Sequence, residues 1–242
     1  MNEHKIELIP PTRTEDINTV QSKSKGILRY AVDGKNALTD FVALNKIPYV
    51  ETRDKLFDLS LSKSQSEGLY IELGVYVGGT INAIAKKASN KTIYGLDTFE
   101  GFPEDYNDGL RKGSCKCEIP KVPSNVILIK GLIEDTLPEL LGKEKKPIAF
   151  LHVDCDLYSA TKSAFESSAK WIRPGTVIQF DELFEMMDHE GDGKSWWWTH
   201  EIDAWNEFVA KYKVEFTWLG STGTQASVMI DKITYKVKKN AK

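Results

Sequence analysis

Two segments of this 242-residue chain end an apolar run in a pair of acids. HVDCDLYSAT (152–161) sets Asp154 and Asp156 behind the run 147–151, and Asp181-Glu182 follow the run 176–180. A third segment, IELGVYVGGT (71–80), buries Glu72 in an apolar stretch and continues with Gly74, Gly78 and Gly79. Carboxylates gathered at one place exchange protons or bind a positive partner, because their mutual repulsion otherwise opposes ionisation. Glycines at a turn let backbone amides approach a ligand closely. The chemistry on offer is therefore carboxylate chemistry beside a backbone cradle.

The elements around these groups must bring them to one edge. Residues 69–73, 92–97, 125–130, 147–154 and 176–181 read as short apolar strands. Helices are expected over 80–89, around Leu137, Leu140 and Leu141, over 158–172, and over 200–212, where Ile202, Trp205, Phe208 and Val209 share one face. Segments 214–219 and 226–230 close the chain as an antiparallel pair joined around Gly223. Strands alternating with helices imply a parallel sheet with right-handed crossovers, covered on both faces. The expected fold is α/β and Rossmann-like, a mostly parallel seven-stranded sheet with an antiparallel C-terminal pair. Ligands of such sheets bind beyond the carboxyl ends of the strands. Asp97, Asp154, Asp156, Asp181 and Glu182 all fall there. Residues 1–62 read as a polar, Pro-interrupted lead followed by cap helices, and 63–242 as the main domain.

The glycine turn narrows the ligand. Asp97 lies roughly 20 residues beyond it, where a carboxylate can hold a ribose diol. The dinucleotide fingerprint G-x-G-x-x-G needs a glycine at its middle position, and Tyr76 stands there. Its side chain would crowd a pyrophosphate, and Glu72 would repel one. A nicotinamide dehydrogenase is therefore disfavoured. A ligand with a ribose, a positive charge and no phosphate fits better, and S-adenosylmethionine is such a molecule. A tight strand-to-helix turn serving some other ligand is the alternative reading.

With these residues placed, the chain resembles the TylF/MycF-type, or macrocin O-methyltransferase, family of S-adenosylmethionine-dependent enzymes. The resemblance spans about 70–230 and rests on YIELGVYVGGT (70–80), YGLDTFEGFPE (94–104), VILIKGLIEDTLPE (126–139), FLHVDCDLYSAT (150–161) and PGTVIQFDEL (174–183). It implies a class I methyltransferase domain that methylates a hydroxyl of a sugar, a sugar-containing natural product or a polysaccharide, with a divalent ion such as Mg2+. It implies metal ligands at Asp154, Asp181 and Glu182 and a general base at Asp156. It implies cofactor contacts at Glu72, Gly74, Val75, Gly78, Thr80, Asp97 and Thr98. The family usually ends its fifth strand in Asp-Asp, so Glu182 is a departure, one methylene longer. Asp154 and Asp181 are accordingly expected ahead of Glu182 as ligands.

Oxygen-only ligands favour a hard dication. A hydroxyl bound to one becomes more acidic, and Asp156 could remove its proton. Asp156 also suits the N-cap of the following helix, and Asp181 and Glu182 could be ordinary loop acids. In a strand His152 points to the opposite side from Asp154's neighbours and reads as a core histidine. The Gly- and Pro-rich segment 99–123 reads as a lid. Trp196-Trp197-Trp198 could form a sugar platform or pack structurally, and His189 and His200 rank behind Asp156 as bases.

Composition sets limits. The net charge of −3 with dispersed Lys and Arg offers no basic block for nucleic acid or an anionic membrane. No apolar run approaches the roughly 20 residues of a membrane span. The N-terminus lacks a secretory layout, and three cysteines read as reduced thiols of a cytoplasmic protein. The expected partner is a small-molecule or saccharide acceptor, and a homo-oligomer stays open. Two rivals remain: an O-methyltransferase for a catechol or other small phenol, and a non-catalytic binding protein on the same fold.

Overall fold

A computed structural model of the chain describes residues 45–106, 109–184, 187–188, 195–196 and 200–235. The N-terminal lead and the cap-helix expectations before residue 45 lie outside the described residues. The chain runs α1 (Arg53–Lys63), β1 (Leu69–Leu73), α2 (Gly79–Lys87), β2 (Ile93–Asp97), β3 (Val126–Lys130), α3 (Ile133–Glu144), β4 (Ile148–Val153), α4 (Tyr158–Ser168) with a 3-10 turn (Ala169–Trp171), β5 (Val177–Phe180), α5 (Glu201–Tyr212), β6 (Glu215–Ser221) and β7 (Ala226–Lys232). Met187–Asp188 and Ser195–Trp196 form a separate two-residue antiparallel ladder. The seven-stranded sheet has the order β3-β2-β1-β4-β5-β7-β6. Strands β1 to β5 pair in parallel, and β7 joins β5 and β6 antiparallel. The expected α/β class and the antiparallel C-terminal pair are both present.

Alternation along the strands divides the core. Ile71, Leu73, Leu151, Val153, Ile178 and Phe180 pack with Leu137, Phe165, Trp205 and Phe208, so α3, α4 and α5 cover that face. Tyr70, Phe150 and Val177 pack with Phe57, Ile81 and Ile84, so α1 and α2 cover the other.

That second face also carries a buried polar row. Glu72 is in register with His152, His152 with Gln179 and Gln179 with Ser227, across β1, β4, β5 and β7. All four residues are fully buried. Helix α1 closes over them: the Phe57 ring meets His152 edge-on at 5.0 Å, and Ser60 Oγ donates to Ser227 Oγ at 2.8 Å. The helix starts at Thr52, whose hydroxyl accepts from Lys55 N. Lys87 of α2 pins it through Asp54 and Asp58 at 3.0 and 2.7 Å. This placement brings Arg53 to the carboxyl edge of the sheet.

At that edge β1 and β4 nearly touch. Gly74 has φ +85, and a Cβ there would lie 1.7 Å from the carbonyl oxygen of Asp154. Gly74→Ala combines a left-handed backbone with a clash against main chain. It is expected to cost about 3 kcal/mol or more of stability, read as a lower urea midpoint.

Candidate active site

The carboxyl edge holds a cleft of about 350 Å3. Its wall on the β1 side is the glycine turn: Gly74, Val75, Tyr76, Val77, Gly79 and Thr80 all line it. Gly78, the N-cap of α2, has φ +86 and stands behind this wall against Pro120. Asp97 organises the turn. Its Oδ2 accepts from Val75 N and Tyr76 N, both at 2.8 Å, and its Oδ1 accepts from Phe99 N at 2.7 Å. The backbone thus uses three of its acceptor positions, and the side chain still lines the cleft. Thr98 lines it too, its hydroxyl donating to Gly101 O and accepting from Glu100 N. Tyr76 adopts φ +49, which turns its amide toward Asp97 and leaves its side chain half exposed.

The acid pairs meet opposite this wall. Asp154, Asp156 and Glu182 each offer an oxygen, and the three atoms lie within 4.8 Å of one another. Asp181 lines the same cleft beside this group, paired with Arg53. It accepts from Arg53 Nη1 on both oxygens, at 3.2 and 2.9 Å, and lies 3.7 Å from His152 Nε2. Glu72 is fully buried under Thr80, whose hydroxyl donates to its Oε1 at 2.8 Å. Glu72 Oε2 lies 3.4 Å from His152 Nδ1, an ion-pair distance too long for a good hydrogen bond.

Asp156 is not the helix cap. Leu157 occupies that position without a side-chain cap bond. Asp156 instead has φ +59 at the centre of a three-residue turn closed by Leu157 N donating to Cys155 O at 2.6 Å. Turns of this hand are rare and strained. This turn brings Asp156 into the lining of the cleft.

The electrostatics divide the acids into two groups. Arg53 and His152 serve one side. Burial opposes charge on His152, but the Asp181 and Glu72 carboxylates outweigh it and lift its pKa to about 10. Burial also acts to raise Asp181, yet His152 and Arg53 hold it below the usual carboxylate range. On the other side burial dominates. Burial pushes Asp154 up to about 8, helped by Asp181 and Glu72 against the opposing pull of His152. Burial and then Glu201 push Glu182 up to about 12. Glu182 Oε2 is buried without a hydrogen-bond partner. Without a cation, these groups hold protons they would otherwise give up. The donor set is all oxygen, which fits a hard dication.

Three residues of this site were not expected from the sequence. Arg53 lines the cleft from α1. His152 is buried as anticipated, but as the cation between Glu72 and Asp181. Glu201, fully buried at the start of α5, faces the Glu182 amide. Paired buried ions leave no periodic signature in a sequence, so only the assembled sheet reveals them.

Segment 99–123 crosses the cleft: Gly101, Phe102, Pro103 and Cys115 line it. Phe102 N donates to Ser114 O, and Gly113 N to Phe102 O. The side chains of Trp196, Trp197 and Trp198, and His189, lie outside the described residues. His200 is described; its ring stacks 4.4 Å from that of Tyr106. Among the described residues no helix is long and apolar enough to cross a membrane.

The site can be set beside known proteins. Among curated protein sequences none matches this chain. Among solved structures, CalS11, a calicheamicin methyltransferase, superposes with a TM-score of 0.55 at 20% identity, covering 81% of this chain and 86% of its own. The O-methyltransferase NovP gives 0.54 at 18% identity, over 74% of this chain and 80% of its own. At these identities the likeness is one of fold. The family model described as a methyltransferase domain matches residues 71–183, from β1 through the turn after β5, and so contains both acid pairs and the glycine turn.

Proposed function

We propose that the protein transfers the methyl group of S-adenosylmethionine to a hydroxyl of a sugar, a sugar-containing natural product or a polysaccharide, with the help of Mg2+ or a similar dication. The observation that carries this reading is the convergence of Asp154, Asp156 and Glu182 in the same cleft as the glycine turn. The fold shared with CalS11, described as a calicheamicin methyltransferase, and with NovP, described as an O-methyltransferase, supports it.

The roles follow from position. Gly74, Val75, Thr80, Asp97 and Thr98 form the wall that takes the methyl donor. Gly74 leaves room that a Cβ would fill, and Asp97 has acceptor capacity left for a hydroxyl. Glu72 and Gly78 act from behind that wall. Asp154 and Glu182 would hold the dication, with Asp181 beside them in the same cleft. The donor supplies an electrophilic methyl on a sulfonium, and a dication makes a bound hydroxyl more acidic. Asp156 receives the hydroxyl proton as the oxygen bonds to the methyl carbon and the carbon–sulfur electron pair stays on sulfur. The cleft's contribution is alignment of oxygen, methyl and sulfur.

Incubation with methyl-labelled S-adenosylmethionine should label a sugar bearing a vicinal diol. Chelator should abolish labelling, and excess Mg2+ should restore it. Labelling of catechol in place of the sugar would favour a phenol as acceptor. Undiminished transfer in excess chelator would overturn the role of the dication.

A further inference from the structure

Glu201 is a carboxylate that none of the proposed roles uses. It opens α5, 19 residues beyond Glu182, and is fully buried. An acid in a first helical turn is ordinary on a surface, where it faces solvent and the helix dipole. Burial is not ordinary, because a carboxylate without partners is costly to bury. Glu201 Oε2 accepts from the backbone amide of Glu182 at 3.4 Å, a long hydrogen bond. Among the described residues its Oε1 has no hydrogen-bond partner, and it is shut off from solvent. Asp154 and Asp156 are among its nearest charges. Glu182 Oε2, on the residue whose amide it holds, is also buried and unpartnered.

We propose that Glu201 positions the dication site, holding the Glu182 main chain with Oε2 and accepting with Oε1 from water on the ion. This rests on the dication reading above. A hard dication such as Mg2+ keeps several waters, and buried carboxylates behind the ligands are the usual acceptors for them. Glu201 also explains how a longer side chain serves at position 182. The turn after β5 is fixed by its main chain, so the extra methylene of Glu182 extends toward Asp154 and Asp156. The neighbouring His200 stacks on Tyr106, so the first turn of α5 ties the ion's surroundings to segment 99–123.

The test titrates Mn2+ into wild-type protein, Glu201→Gln and Asp154→Asn, following bound metal by electron paramagnetic resonance and folding by thermal melting. Glu201→Gln keeps the shape and the acceptor toward Glu182 N but removes the charge. It is expected to fold at least as well as wild type and to bind Mn2+ about tenfold or more weakly. Glu201→Asp, which keeps the charge on a shorter arm, should also weaken binding and serves if Glu201→Gln does not fold. Wild-type affinity in both variants, with Asp154→Asn impaired, would overturn the role of Glu201 alone. No Mn2+ binding by wild type would overturn the dication reading, and this inference with it.

Discussion

Asp154→Asn is expected to lower methyl transfer by on the order of 10^3-fold, to abolish Mn2+ binding at millimolar concentrations, and to stabilise the metal-free protein. The first two effects share a cause. Among the described residues Asp154 belongs to both groups that could hold an ion, one with Glu72 and His152, the other with Asp156 and Glu182. Loss of a ligand removes several kcal/mol of transition-state stabilisation. The third effect follows from linkage. An acid lifted from 3.8 to about 8 on folding binds more protons folded than unfolded between those values. The metal-free protein therefore loses stability as pH rises from about 4 to about 8, and this contribution levels off above that window. Glu182, lifted from 4.5 to about 12, extends the decline to higher pH. Asparagine removes the share due to Asp154. Melting temperatures across pH 4 to 9 in chelator should fall for wild type and fall less for the variant. Added Mg2+ should flatten the wild-type curve alone. A variant less stable than wild type at pH 8 would show that Asp154 is held by something other than a metal.

The strands and the sheet edge were legible because a parallel sheet covered on both faces writes its strands as apolar runs. Each of 69–73, 92–97, 125–130, 147–154 and 176–181 became a strand within a residue or two. The acids after those runs had to share an edge once the sheet was parallel. The rest needed three dimensions. Arg53 reaches Asp181 across 128 residues, and no local pattern encodes such a contact. Glu201 looks like any acid in a first helical turn; burial alone distinguishes it. Side-chain length ordered Asp181 ahead of Glu182 as a ligand; it gave no sign that Asp181 would pair with Arg53 or that Glu182 would reach Asp154 and Asp156. Asp156 had two readings, cap and base. The N-cap position itself falls on Leu157, and Asp156 sits in the backbone turn just before it. The tail of the helix expected over 158–172 is a 3-10 turn, Ala169–Trp171, and Pro174 follows it.

Asp156→Asn separates proton removal from everything else at this site. The position has φ +59, and Asn shares with Asp a tolerance for left-handed backbone. The variant should therefore fold as wild type does, whereas Asp156→Ala would add conformational cost. Asparagine also keeps a carbonyl oxygen toward Asp154 and Glu182, so Mn2+ affinity should change far less than in Asp154→Asn. What is lost is a group able to receive a proton, and that is expected to cost about 10^2- to 10^4-fold in kcat. Without an internal base the hydroxyl must lose its proton to solvent. The variant's rate should then climb tenfold per pH unit over a range in which wild type is flat, with KM for the methyl donor unchanged. A residue that merely shapes the turn would lower the whole profile evenly. A variant with kcat within a few fold of wild type would assign the proton to another group, and His200, the described histidine whose ring stacks on Tyr106 of the covering segment, is the first to replace next.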